Sequence, residues 1–427
     1  MKRLCITPIS RFPYSGFIFL LSFILLSCVL LSCSKKDSDT NSQTNTIKLG
    51  AILDLTGDYS QAGLTGKAAI ELALTNLNQR YASVGSPLRF SCTYADTHMD
   101  TVLALTAAKA MYADGIRLLV AGPNNSAELK SIKAFLDANQ MLSLSSFSSS
   151  PSLAIPNDYI FRLITDDNVQ GQALVSMMKF DSVKVIIPIW RVDTYGSGLY
   201  QTVKQKFEAM GGTVLPGISY KPNALNYQEM IASVANQANT AISTYGASKV
   251  SVLLISYQEA SDFLHSAATQ SSLAQVKWYG CDANAQRASV SADAVAARFA
   301  LDVRFLAPIM GIGTAGKIPA TADALAGQIL TKTGLQADAY ALTSYDAVQI
   351  YGLAYDLVQS YNAPLIKTIL PGVCESYNYL GISRKLNPAG DLAAANYIFW
   401  TVTSISGGFS WDSYATWMGE GDYIWTK

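Results

Sequence analysis

The chain has 427 residues, of which 50% are apolar and 15% charged; this is length for two or three domains and a composition that builds packed cores rather than disordered chain. Its 31 basic residues equal its 31 acidic ones, so it carries no positive field to gather nucleic acid or an anionic membrane face.

Lys2, Arg3 and Arg11 open the chain, residues 17–31 are almost wholly apolar, and Ser32 and Cys33 are followed by a polar stretch at 34–42. A basic start, a short apolar core and small residues at its end predict a secretory signal over residues 1–32, with residues 33–46 as a flexible tether. The ending Leu30-Leu31-Ser32-Cys33 resembles the lipobox of bacterial lipoproteins. That resemblance implies acylation of Cys33, a lipid anchor in place of a spanning helix, and an exported protein of the cell envelope, periplasm-facing or surface-exposed. The competing readings are a retained transmembrane helix over the same run and Cys28 as the acylated residue; the polar tether starting directly after Cys33 favours Cys33.

From residue 47 onward, strand-like and helix-like segments alternate. Residues 47–53 are a short apolar run, 57–63 a turn, and Leu64, Ala68, Leu72 and Leu77 recur near helical spacing. Leu88, Phe90, Cys92 and Tyr94 alternate as in a half-buried strand, 103–111 is helical, and 117–121 is a buried strand ending at Gly122-Pro123. Asn125 or Ser126 is placed to cap a helix that runs to Asp137. Strands are predicted at 141–145, 183–189, 213–220, 250–255 and 276–279, and helices at 198–210, 227–238 and 259–268, with the polar stretch 239–249 as a surface excursion. Such alternation predicts an α/β chain with two doubly wound parallel-sheet lobes. Ligands of open parallel sheets bind where loops converge at the carboxyl ends of strands. Those ends are rich here in Ser, Asn, Tyr and Asp and, Arg191 apart, lack the cations that a phosphate needs. Cys92, Cys281 and Cys374 are an odd set beyond the signal, which permits at most one internal disulfide.

The run from Ile47 to Gly57, then Tyr94-Ala95-Asp96, Val120-Ala121-Gly122-Pro123, Tyr159-Ile160-Phe161-Arg162 with Gln170-Gly171-Gln172-Ala173, Asp193-Thr194-Tyr195-Gly196, Trp278-Tyr279-Gly280-Cys281-Asp282 and Tyr345-Asp346-Ala347-Val348 stand in one recognisable order. Together they resemble the type I periplasmic binding proteins, in particular the branched-chain amino acid receptors of ABC importers. The resemblance implies two lobes joined by three crossover strands near Thr165, Phe305 and Tyr397: an N-terminal lobe of residues 47–165 and 306–396, and a C-terminal lobe of 166–305 and 397–427. It also implies a non-catalytic receptor that needs no cofactor or metal, closes on a small polar ligand, an amino acid or related amide, and hands it to an ABC permease. Matched residue by residue, Asn124, Asn125 and Ser126 fall on the loop that opens a helix beside the ligand, and Phe147, Ser148 and Ser149 on the second ligand loop. Tyr195 and Tyr257 match the aromatic cover of the far lobe, and Asp282 the acid that pairs with the ligand's ammonium. Asn124, Asn125 and Phe147 replace smaller residues of the family pattern, which bears on ligand identity.

Some motifs point elsewhere. Residues 311–317 read Gly-Ile-Gly-Thr-Ala-Gly-Lys, close to a phosphate loop, but Ile318 stands where the magnesium-binding hydroxyl belongs. Ser176 with Lys179, Ser261-Asp262-Phe263 and Lys332-Thr333-Gly334 imitate the penicillin-recognising enzymes, yet the last triplet ends a helix with Gly334 as its stop. The two histidines, His98 and His265, lack metal-ligand spacing and read as surface residues. The rival of a different class is an envelope sensor or structural lipoprotein with the same fold and no transported ligand.

Overall fold

The computed structural model describes residues 45–312, 318–380, 384–419 and 424–426. The expected export signal, tether and Cys33, and most of the glycine-rich loop at 311–317, lie outside them. Among the described residues no helix is long and apolar enough to cross a membrane.

The first sheet contains β1 (Thr46–Leu53), β2 (Arg89–Asp96), β3 (Leu118–Ala121), β4 (Leu142–Ser145) and β5 (Ile160–Arg162), parallel throughout in the order β2-β1-β3-β4-β5. Helices α1 (Ser60–Ser83), α2 (Thr101–Ala113) and α3 (Ser126–Asn139) make its crossovers. β3 and β4 are buried along their whole length, as strands covered on both faces must be. The second sheet follows α4 (Asp167–Phe180). It contains β6 (Val185–Arg191), β7 (Thr213–Val214), β8 (Ile218–Tyr220), β9 (Val250–Ile255) and β10 (Lys277–Tyr279), with α5 (Thr194–Ala209), α6 (Tyr227–Tyr245) and α7 (Ala260–Ala267) between them. Its order is β10-β9-β6-β7, with β8 also paired to β6, and every pairing is parallel.

Two predicted elements differ. The strand expected at 213–220 is broken into β7 and β8 because Pro216 has no N–H to give a ladder. Gly217 turns back at φ +59, where an added Cβ would lie 2.0 Å from the carbonyl oxygen of Pro188. The polar stretch 239–249 is mostly helix rather than excursion: α6 continues to Tyr245 with Ala241 buried, and stops only at Gly246, φ +83.

After α8 (Ala288–Ala292) and α9 (Ala294–Asp302), the chain forms β11 (Ala307–Met310) and returns to the first sheet with α10 (Ala320–Thr333), α11 (Ala339–Val358) and α12 (Ala363–Ser376). Tyr351 of α11 is fully buried and donates to the carbonyl of Leu119 in β3 at 3.0 Å. Gly334 ends α10 in the left-handed conformation, as its sequence position predicts. A third sheet was not foreseen. β11, β12 (Tyr397–Ile405), β13 (Gly408–Trp417) and β14 (Ile424–Thr426) pair antiparallel in chain order. Cys92, Cys281 and Cys374 are all free thiols.

Buried ion pairs tie the first sheet to the returning segments. Arg162 binds Asp391 through Nε at 2.5 Å and Nη2 at 2.7 Å. Arg384 binds Asp346 of α11 at 2.6 Å with neither side chain exposed. Both charges of a pair leave water together, so removing one strands the other. Arg384→Met is expected to cost about 3–5 kcal/mol, read as a fall in unfolding midpoint that the double variant Arg384→Met/Asp346→Leu largely restores.

A buried pair of acids sits where β1 and β3 end. Asp54 accepts from Met99 N at 2.5 Å and Thr97 Oγ1 at 3.2 Å, and the Asn125 amide bridges it to Glu128, donating to Asp54 Oδ2 at 3.4 Å and to Glu128 Oε2. Burial first, then the charge of Asp54, pushes the Glu128 carboxyl up to about 9. Its proton is bound in the folded state and lost in the unfolded one near neutrality. Stability should therefore be fullest below the ordinary value of 4.5 and fall as pH rises towards 9. Glu128→Gln, which keeps the hydrogen-bonding shape without the titration, should flatten that slope in melting curves taken across the range.

Candidate functional site

The loops after β1, β3 and β4 lie side by side because their strands are neighbours in register. Glycines let them cross: an added Cβ at Gly122 would lie 1.7 Å from the carbonyl oxygen of Ile52, and one at Gly63 1.9 Å from that of Asp54. Asn124 Oδ1 accepts from Asp54 N at 2.8 Å, and Asn125 caps α3 by accepting from Glu128 N at 3.0 Å. Ser126 Oγ accepts from Ser150 N at 3.1 Å, and Ser148 Oγ donates to the carbonyl of Pro123 at 3.0 Å. Ser126 and Ser148 brace the β3 and β4 loops against each other, and Asn124 ties the β3 loop to the end of β1. Asn124 Nδ2 is buried without a hydrogen bond.

The other predicted residues meet in one aromatic cluster. Tyr257, in the loop after β9, lies 5.4 Å from Tyr195 in the first turn of α5, centroid to centroid. Asp193 fixes that turn, capping α5 by accepting from Gly196 N at 2.7 Å. Asp282 follows β10. The Tyr195 hydroxyl donates to its Oδ1, and Ala283 N donates to the same oxygen at 2.8 Å. The next helix starts only at Ala288, so Asp282 is no helix cap. Phe147, from the β4 loop, meets Tyr340 edge-on at 6.3 Å. Tyr340, in the first turn of α11, donates to Asp282 Oδ2 at 2.5 Å. That bond runs from a helix packed on the first sheet to a loop of the second. Tyr59 against Tyr257 at 4.9 Å, and Ser150 Oγ donating to the carbonyl of Thr194 at 3.1 Å, make the same crossing.

Beyond Asp282 lies a residue that motif spacing did not single out. Asp282 N donates to Gln170 Oε1 at 3.0 Å, Gln170 Nε2 donates to Asp167 Oδ1 at 2.8 Å, and Asp167 N donates to the carbonyl of Ser149 at 2.9 Å. Asp167 is wholly buried, and its Oδ2 has no hydrogen-bond partner. Burial, then the neighbouring charge of Asp282, holds its carboxyl well above the usual range. Burial also raises Asp282, against the pull of the Tyr195 and Tyr340 hydroxyls. Tyr59, Asp167, Arg287 and Tyr340 went unnoticed in the sequence. Gln170 was seen only as part of a motif. Of the quoted Tyr345-Asp346 motif, Asp346 is spent on the Arg384 pair and the Tyr345 hydroxyl accepts from Asn76 Nδ2 at 2.9 Å.

The arrangement is a buried carboxylate pair walled by tyrosines, at the meeting of two sets of strand-end loops. It is suited to holding a cation by charge-assisted hydrogen bonds. The model of the receptor family ligand binding region matches residues 65–387. An uncharacterised protein of Methanocaldococcus jannaschii is 27% identical over 384 residues, 86% of this chain and 89% of that protein. A periplasmic binding protein from Burkholderia mallei has a TM-score of 0.71 at 15% identity, covering 89% of this chain and 96% of that one. A leucine binding protein from Thermotoga maritima has 0.69 at 17%, covering 88% and 100%. The chain belongs to the receptor family ligand binding region, built on the type I periplasmic binding protein fold of the branched-chain amino acid receptors.

Proposed function

We propose that this protein is a lipid-anchored, non-catalytic receptor that traps a small polar solute, an amino acid or related amide, and delivers it to an ABC permease. The observation that carries the reading is Asp282, a buried carboxylate that receives hydroxyls from both sides of the interface, Tyr195 on one and Tyr340 on the other. A ligand ammonium inserted there exchanges neutral donors for a charged one and draws the two sides together. The Thermotoga relative is a leucine binding protein, which supports the amino-acid class. In this reading residues 47–165 with 306–396 form one lobe and 166–305 with 397–427 the other, hinged at the crossovers. Cys33 supplies the anchor.

Binding to the folded state alone raises its stability, by about 2.7 kcal/mol at a hundredfold excess over Kd. A panel of amino acids and small amides should therefore contain a compound that raises the melting temperature by several degrees. No shift with any of them would favour a sensor or structural lipoprotein with an unused cleft. Asp282→Ala should abolish that shift for ammonium-bearing compounds; an unchanged affinity would remove Asp282 from the site. Cys33→Ser should move the protein from the detergent phase to the aqueous phase in a partition experiment; retention in detergent would point to a spanning helix or to Cys28.

A further inference from the structure

The charges around Asp282 do not balance. Arg162, Arg191 and Arg287 border the cluster, and each is already matched. Arg162 is held by both oxygens of Asp391 and by the carbonyls of Ser148 and Ser150 at 3.0 and 2.9 Å. Arg191 binds Asp193 at 2.9 Å and Glu259 at 3.0 Å while lying 4.9 Å above the Tyr257 ring. Arg287 donates to the carbonyl of Ala283 at 2.7 Å, covers the Tyr59 ring at 5.0 Å, and stands 3.8 Å from Asp338. Asp167 and Asp282 meet only neutral donors, and Asp167 Oδ2 meets none. The charge of Asp282 acts on Asp167, Tyr195 and Tyr340, while the Ser149 side chain and the Arg162 charge pull Asp167 the other way.

We infer that the cleft selects a ligand carrying net positive charge, an amine or amino-acid amide, over the corresponding zwitterion. This rests on the receptor reading above. Two buried carboxylates, neither in an ion pair of its own, repel each other unless a proton or a cation joins them. An ammonium ligand would bring charged donors to that pair, in which Asp167 Oδ2 has no hydrogen bond. A zwitterion brings a third carboxylate into the same space. Of the donors left buried without a hydrogen bond, Asn124 Nδ2 is neutral and Arg287 Nη2 already faces Asp338, so neither offers that carboxylate an unmatched positive charge.

The test is calorimetric titration of the full chain in detergent with alaninamide against alanine and leucinamide against leucine, at mildly acidic pH where both amines are protonated. Each amide that binds should bind about tenfold or more tighter than its acid, the size of one charge-assisted hydrogen bond. Asp167→Asn should narrow that gap by about tenfold, with the melting temperature as the check on folding. If Asp167→Asn does not fold, Asp282→Asn takes its place and the wild-type comparison still decides. An acid that binds as tightly as its amide, or tighter, overturns this inference and leaves the receptor standing. An unchanged gap in a folded Asp167→Asn removes the carboxylate pair as its cause. No heat from any of the four compounds, together with no thermal shift across the wider panel, overturns the receptor reading and this inference with it.

Discussion

A carboxylate taken out of water needs donors, and Asp282 draws them from both sides of the molecule. Tyr195 and Ala283 belong to the second sheet's loops, and Tyr340 to a helix on the first. The three contacts are satisfied together only when the two sets of loops are apposed. Their apposition is therefore written into the solvation of one acid. The ring contact of Tyr59 with Tyr257 and the hydrogen bond from Ser150 to Thr194 reinforce it but do not require it, since both can be replaced by water or by other apolar surface.

The rest of the site is a set of rigid supports for that meeting. Asn124, Asn125, Ser126 and Ser148 have the side chains of ligand-contacting residues, yet their polar atoms knit the β3 and β4 loops to each other and to Asp54. Of their polar atoms, Asn124 Nδ2 is left buried without a hydrogen bond. Arg162 works in the same way, pinning the β4 loop through the carbonyls of Ser148 and Ser150 while Asp391 neutralises it. The polar richness of the strand ends is thus partly structural.

The family relation fits this division of labour. A type I periplasmic binding protein fold places loops from two parallel sheets face to face, and ligand chemistry is then set by a handful of side chains on them. Low identity to the solved relatives, 15% and 17%, leaves those side chains free to differ while the strands and crossovers keep their order.

The amino-acid sequence by itself determined the alternation of strand and helix, the two parallel sheets and the places where polar loops gather. Hydrophobic period and turn residues act over a few positions and need no distant partner. Where local signals were weak it erred: Pro216 and Gly217 split a strand, and 239–245, without a breaker, stayed helical. Tertiary structure alone decided that Tyr340 reaches Asp282 across 58 residues, that Asp167 stands behind it, that Asp346 answers Arg384, and that the C-terminal strands form an antiparallel sheet. Those contacts depend on how crossovers fold one segment onto another, and no spacing along the chain encodes which buried charge will find which donor.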